Sequence, residues 1–161
     1  MTAPMGLLLL DTNVLLHLVR GNAFGRSLDA AYGLRARSER PLISVVTVGE
    51  ILSLAKKFGW GEEKRLRMLE LLGELVVVDI HSNSVLQKYS EIDHYLETNG
   101  RSVGDNDTWI AATAAATAAT LLTSPPTRTS TPSPAPSSRA STSIRRRPRR
   151  PRRERDGRDA V

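Results

Sequence analysis

The chain has 161 residues, no cysteine, 40% hydrophobic residues and a formal net charge of +6. This composition is typical of one small globular domain, and the lack of cysteine excludes a domain held together by disulfides. No apolar run approaches the roughly 18 residues of a membrane span, and no basic segment precedes the leucines near the amino end, as it would in a signal peptide. We therefore expect a cytoplasmic protein without a membrane partner.

The positive charge lies in the last quarter of the chain. Residues 1–123 contain 12 Lys and Arg against 14 Asp and Glu, whereas residues 124–161 contain 11 Arg, three acids and seven of the nine prolines. The second segment has too few large apolar residues to offset the entropy of ordering it. The sequence predicts a folded domain over 1–123, with a net charge of −2, and a disordered tail over 124–161, with a net charge of +8.

Short apolar runs alternate with amphipathic stretches along the first 123 residues, which is typical of a mainly parallel sheet flanked by helices. Apolar runs predict strands at 6–10, 42–45, 76–80 and 120–123. Helices are expected from about 14, over 24–38, 47–58, 62–75 and 82–97, and in the alanine-rich stretch after 107. Thr12 or Asn13 is expected to cap the first helix.

Three acidic residues fall where parallel sheets place active sites, at or just beyond the carboxyl ends of strands. Asp11 follows the first strand, Glu50 follows the second, and Asp107 begins the helix before the fourth. Each of them also has a structural interpretation that must be weighed. Glu50 stands three residues after Thr47, as in a capping box, and Asp107 is a residue type that the amino end of a helix dipole favours. The structural interpretation is weakest for Asp11, because a carboxylate at the end of a leucine strand is partly desolvated, which is costly unless a cation or a donor meets it.

The three carboxylates would repel one another if they converged, unless a divalent cation neutralised them. Hard oxygen ligands and the absence of cysteine favour Mg²⁺ or Mn²⁺ over zinc. His17, His81 and His94 lack the close spacing of a zinc site, and His17 is expected to be a packed or capping residue.

Three motifs carry a resemblance to a known family. They are LLDTN over 9–13, SVVTVGE over 44–50 and GDNDTWIAATA over 104–114. In this order and spacing the chain resembles PIN-domain proteins, specifically the toxin component of VapBC-type toxin–antitoxin pairs, over residues 7–123. The third motif together with D-T-N is the most specific part of the resemblance.

The resemblance implies a PIN-like α/β fold with three layers, α/β/α, around a mainly parallel sheet of about four strands. It implies a Mg²⁺-dependent endoribonuclease, with Mn²⁺ as a possible substitute, in which a metal-activated water hydrolyses the phosphodiester bond. Asp11 and Asp107 would hold the metal, and Glu50 would complete the catalytic cluster. Accessory roles would fall to Thr12, Asn13 and Asp105. The implied partners are an RNA substrate, a cognate antitoxin protein and a second copy of the chain.

The chain departs from this family after Thr123, where relatives usually continue with a fourth carboxylate and a last strand. One set of codons that can encode residues 126–133 reads D-T-D-F-D-P-L in another frame, and this is the missing motif. Our hypothesis is that residues from about 126 onward are an out-of-frame translation. The alternative is a native basic arm that grips RNA by counterion release, and its arginines would be Arg145, Arg146, Arg147, Arg149 and Arg150.

These departures leave a second functional hypothesis open. Without the fourth acid and the last strand, the chain would be catalytically impaired and would act only as an antitoxin-binding or RNA-binding protein.

Overall fold

The structure, a computed structural model, describes residues 6–124. They form four strands and six helices, in the order β1 Leu8–Leu10, α1 Thr12–Arg20, α2 Ala23–Tyr32, β2 Leu42–Ser44, α3 Val45–Lys57, α4 Glu62–Glu74, β3 Val76–Val78, α5 Asn83–Thr98, α6 Asp105–Ala116 and β4 Thr120–Leu122. The hypotheses on the tail, its arginines, its reading frame and the missing last strand concern residues outside this range.

All four strands pair in parallel, in the order β3-β2-β1-β4. Leu9 of β1 lies opposite Leu42 of β2 on one side and opposite Leu121 of β4 on the other. The chain therefore builds outward from β1 through β2 to β3, and then returns to add β4 on the opposite side of β1. Ligands of such sheets bind beyond the carboxyl ends of the strands, where the strand order reverses, so the topology directs attention to the end of β1.

Helices cover both faces of the sheet, because alternate side chains of a strand point to opposite sides. Leu8 and Leu10 pack in one core with residues of α1, α3 and α4, and Leu9 packs in a second core with Ile110 and Ala114 of α6. The four-stranded parallel sheet between helical layers confirms the predicted α/β fold. Among residues 6–124, no helix is long and apolar enough to cross a membrane.

The first two helices have boundaries that differ from the prediction. Asp11, rather than Thr12 or Asn13, caps α1, and its carboxylate accepts a hydrogen bond from the Asn13 backbone N–H at 3.4 Å. The second helix stops at Tyr32 instead of 38, because Gly33 adopts the left-handed conformation, with φ of 56°, that ends a helix.

The capping-box interpretation of Glu50 is wrong. Helix α3 starts at Val45, two residues earlier than predicted, and the Ser44 hydroxyl caps it by accepting a hydrogen bond from the Val46 N–H at 3.3 Å. Thr47 is fully buried, and its hydroxyl has no hydrogen-bond partner among the described residues. Glu50 thus lies in the second turn of α3, where its side chain is free for another role.

Candidate active site at the carboxyl ends of the strands

Asp11 is fixed at the carboxyl end of β1 by the strands around it. The buried leucines of β1 end at Leu10, and the Asp11 N–H donates to the Leu122 carbonyl of β4 at 3.0 Å. Its side chain is half-buried at the amino end of α1. The carboxylate therefore faces the end of the sheet, and both the sheet and the helix hold its backbone.

Glu50 is held by hydrogen bonds from the other two motifs. The Thr12 hydroxyl donates to Glu50 Oε2, and the Asn106 side-chain amide donates to Glu50 Oε1 at 2.8 Å. Thr12 is buried, whereas Glu50 is half-buried. Two donors on one carboxylate restrict its rotation and fix its position in the site. Asn106 is a site residue that the sequence motif did not reveal, and its only signal is its position directly before Asp107.

Asp107 lies in the first turn of α6, close to the two other carboxylates. Partial burial raises the pKa of Asp107, and the negative charges of Asp11 and Glu50 raise it further, although much of the residue remains exposed. A raised pKa with two carboxylates as charged neighbours is typical of functional sites. The structure thus brings together the three acids that the sequence predicted.

A cleft of about 580 Å³ runs past these carboxylates, and a smaller one of about 270 Å³ adjoins it on the β4 side. Asp11, Asn13 and Asp107 line both, so the carboxylates lie where the two clefts meet. The larger cleft is also lined by residues of α1, α3 and α6, namely Thr12, Val46, Gly49, Glu50, Ser53, Leu54, Lys57 and Asn106. An extended polymer can therefore cross the acidic cluster from one cleft to the other.

The carboxylates of this cleft fit a magnesium ion that keeps several waters better than a metal coordinated entirely by protein side chains. No group of three His, Cys, Asp or Glu within residues 6–124 is arranged to hold a metal ion. Mg²⁺ is commonly bound by one or two carboxylates, with water and substrate phosphates completing its shell. Asp11 and Asp107 line the same two clefts, and the charge repulsion felt by Asp107 is the kind that a divalent cation relieves.

The remaining residues considered from the sequence lie outside the acidic cluster. Asp105 is exposed at the start of α6 and lines neither cleft, so its accessory role stays a prediction. His17 is buried, its Nδ1 lies 2.8 Å from the Asn22 amide and its ring packs edge-on against Phe24, which confirms it as a packed residue.

A separate cavity of about 430 Å³ shares no lining residue with the acidic clefts. Its arginines are already bonded: Arg40 donates to the carbonyls of Glu74 at 2.9 Å and Leu75 at 3.0 Å, and Arg37 donates to the Tyr32 carbonyl at 3.3 Å. These bonds satisfy carbonyls near the ends of α4 and α2. The two arginines therefore have a structural role in the fold.

Comparisons with known proteins agree with this geometry. The PIN domain family model matches residues 8–124. Ribonuclease VapC1 of Haemophilus influenzae strain R2866 is 29% identical over 116 residues, which cover 71% of this chain and 84% of the relative. Among solved structures, VapBC2 from Rickettsia felis bound to a DNA fragment from their promoter aligns with a TM-score of 0.64 and 27% identity, covering 73% of this chain and 86% of that one. VapBC-1 from nontypeable Haemophilus influenzae aligns with a TM-score of 0.60 and 24% identity, covering 73% and 85%.

Proposed function

The chain belongs to the PIN-domain family, and from this premise we propose that it is a divalent-metal-dependent endoribonuclease and the toxin of a toxin–antitoxin pair. The observation that carries the proposal is the meeting of Asp11, Glu50 and Asp107 at one cleft, with Glu50 fixed by Thr12 and Asn106. Similarity to curated ribonucleases of the VapC1 type supports RNA as the substrate.

Each acidic residue has a separate task in the proposed mechanism. Asp11 and Asp107 would hold Mg²⁺ or Mn²⁺, which supplies a water of lowered pKa and screens the charge that develops on the phosphate. Glu50, immobilised by its two donors, would orient water beside them through its remaining lone pairs. No side-chain nucleophile is needed, because the metal-activated water would attack the phosphorus.

The wild-type chain provides the direct test of the proposal. Purified full-length protein should cleave single-stranded RNA in Mg²⁺ or Mn²⁺, lose the activity in EDTA and regain it when Mg²⁺ is added back. A parallel preparation of Asp11→Asn controls for contaminating nuclease. Cleavage that persists in EDTA, or that both preparations share, would refute the proposal.

Asn106 allows a milder test of the same site. We expect Asn106→Ala to lower kcat about tenfold with KM little changed, because outer contacts that hold catalytic groups are typically worth that much and one Glu50 oxygen loses its donor. Asn83→Ala, at the exposed start of α5, is the matched control. Steady-state kinetics checks the prediction, and equal kcat for the two variants would contradict it.

The proposed partners follow from the same similarity. The solved structures that this chain resembles include a toxin–antitoxin complex from Klebsiella pneumoniae, and we propose that a cognate antitoxin covers the acidic cleft of this chain in the cytoplasm. Leu66 and Leu69 on α4 are more than half exposed, which supplies apolar surface for a homodimer or for the antitoxin.

A binding protein without catalysis is the second candidate function. The observation that favours it is the net charge of +8 over 124–161, set against the PIN domain that we place at 1–123. In this case the full chain would bind RNA without metal, and a chain truncated after residue 123 would not. Metal-dependent cleavage by the truncated chain would decide for the enzyme.

A further inference from the structure

Lys57 is the one positively charged side chain that lines the acidic cleft within residues 6–124. It is the last residue of α3 and is exposed. None of the ion pairs in this part of the chain involves it. The cleft therefore has three carboxylates at one end and a single cation without a carboxylate partner at the other.

The spacing along α3 explains how Lys57 reaches the cleft. Glu50, Ser53, Leu54 and Lys57 occupy positions i, i+3, i+4 and i+7, which share one face of a helix, and all four line the cleft. Seven residues of α-helix advance by roughly 10 Å. Lys57 thus lies about that far along the cleft from the carboxylate of the acidic cluster that α3 carries.

We propose that Lys57 binds a backbone phosphate of the RNA beside the phosphate that is cleaved, with the Ser53 hydroxyl as a neighbouring donor. The inference rests on the proposed ribonuclease function and adds a substrate-positioning residue to it. An RNA strand is repelled by the carboxylates wherever no metal screens them, so the ammonium group attracts it at one end of the cleft only. Lys57 thereby holds the strand in the end of the cleft that α3 lines as the strand crosses Asp11 and Asp107.

Lys56 is the control position that distinguishes a phosphate contact by Lys57 from a general effect of positive charge. Both residues lie in the last turn of α3, where the helix dipole favours a positive charge, and both are exposed. Only Lys57 lines the cleft, because Lys56 is rotated by about 100° around the helix. Any contribution of charge to folding or to long-range attraction is shared by the two positions, whereas a phosphate contact in the cleft belongs to Lys57.

The experiment compares Lys57→Ala, Lys57→Arg and Lys56→Ala in the full chain. Binding of a labelled single-stranded RNA of mixed sequence, about twelve nucleotides long, is measured by fluorescence anisotropy with Ca²⁺ in place of Mg²⁺, and cleavage is measured in Mg²⁺. We expect Lys57→Ala to weaken binding and raise KM about three- to tenfold, with kcat within about twofold. The slope of the logarithm of RNA affinity against the logarithm of salt concentration should be smaller for Lys57→Ala than for wild type by about one released counterion. Lys57→Arg should restore both values, and Lys56→Ala should match wild type.

Substrate length sharpens the test. A dinucleotide that contains only the cleaved phosphate cannot reach Lys57, so wild type and Lys57→Ala should cleave it equally. Equal behaviour of Lys57→Ala and Lys56→Ala on the longer RNA would overturn the inference while leaving the ribonuclease proposal intact. If wild type binds RNA but does not cleave it, the ribonuclease proposal fails and the anisotropy comparison alone decides on Lys57. If wild type neither binds nor cleaves, both fail.

Discussion

Replacing Asp107 by asparagine should abolish RNA cleavage and, at the same time, stabilise the metal-free protein. We expect kcat/KM to fall about 100- to 1000-fold, the range typical for removing one group that stabilises charge in a transition state. Asp11→Asn should cause a loss of the same size, because both carboxylates line the two clefts and are the proposed metal ligands. The asparagine keeps the shape of the side chain and removes its charge.

The gain in stability follows from the direction of the pKa shift of Asp107. Burial and the charges of Asp11 and Glu50 raise that pKa in the folded protein, so the ionised form is less favourable when folded than when unfolded. This penalty is absent below the unfolded pKa of about 4 and grows as pH rises through the folded pKa. At neutral pH and in EDTA, Asp107→Asn should therefore raise Tm by about 1–3 °C, and the gain should shrink as pH is lowered toward 4.

In Mg²⁺ the wild type should have a higher Tm than Asp107→Asn, which reverses the order expected in EDTA. A ligand that binds only the folded state raises its stability in proportion to the logarithm of the ligand concentration, so Mg²⁺ should raise the Tm of wild type and have little effect on Asp107→Asn. Differential scanning fluorimetry over a pH and Mg²⁺ series measures both effects. A lower Tm for the variant in EDTA at neutral pH would contradict the assignment of Asp107 to a repulsive cluster.

Asp105→Asn is the matched control for this experiment. It removes the same charge from the same turn of α6, but Asp105 lines neither cleft. We expect no gain in Tm, and a loss of activity below about tenfold would measure the accessory role that the sequence resemblance implies for this residue. A loss equal to that of Asp107→Asn would place both carboxylates in the catalytic cluster.

The three acids could be found from the sequence because the topology of the parallel sheet determines which positions lie close together. Asp11 follows β1, Glu50 lies in the second turn of the helix that follows β2, and Asp107 lies in the first turn of the helix that leads into β4. Parallel strands bring such positions to one edge of the sheet. The four apolar runs sufficed to predict the strands, although each strand is only three residues long. The run at 76–80 ends as a strand at Val78, because Asp79 turns the chain by accepting hydrogen bonds from the His81 N–H and side chain.

The roles of individual side chains were less accessible to sequence reasoning. Val45 is β-branched and suggested that the second strand continues to residue 45. This hid the cap at Ser44 and made Thr47 and Glu50 resemble a capping box. The Asn106–Glu50 hydrogen bond joins positions 56 residues apart. No local pattern encodes such a contact, because it depends on how α3 and α6 are placed across the sheet.

The contact between α1 and α2 predicts the largest effect on stability. A methyl group added to Gly25 would lie 2.7 Å from the backbone carbon of His17 and closer still to its oxygen, distances at which something must shift. Because the obstacle is backbone, the two helices must move apart, and we expect Gly25→Ala to lower the free energy of unfolding by about 3 kcal/mol. The motion would also disturb the Asn22 side chain, which bonds both the Gly25 N–H and His17.

Gly49→Ala is the control that isolates this close approach. Gly49 lies inside α3 with open space where a methyl group would stand, so alanine should stabilise the protein by about 0.5–1 kcal/mol through helix propensity. Urea unfolding measures the expected loss of stability in Gly25→Ala and the expected gain in Gly49→Ala. A Gly25→Ala chain as stable as Gly49→Ala would refute the contact. Helix α1 carries Thr12 at its amino end, where the Thr12 hydroxyl donates to Glu50. Gly25→Ala should therefore also lower kcat at temperatures where the variant is still folded. Such a loss would link a packing contact of α2 to the geometry of the acidic cleft.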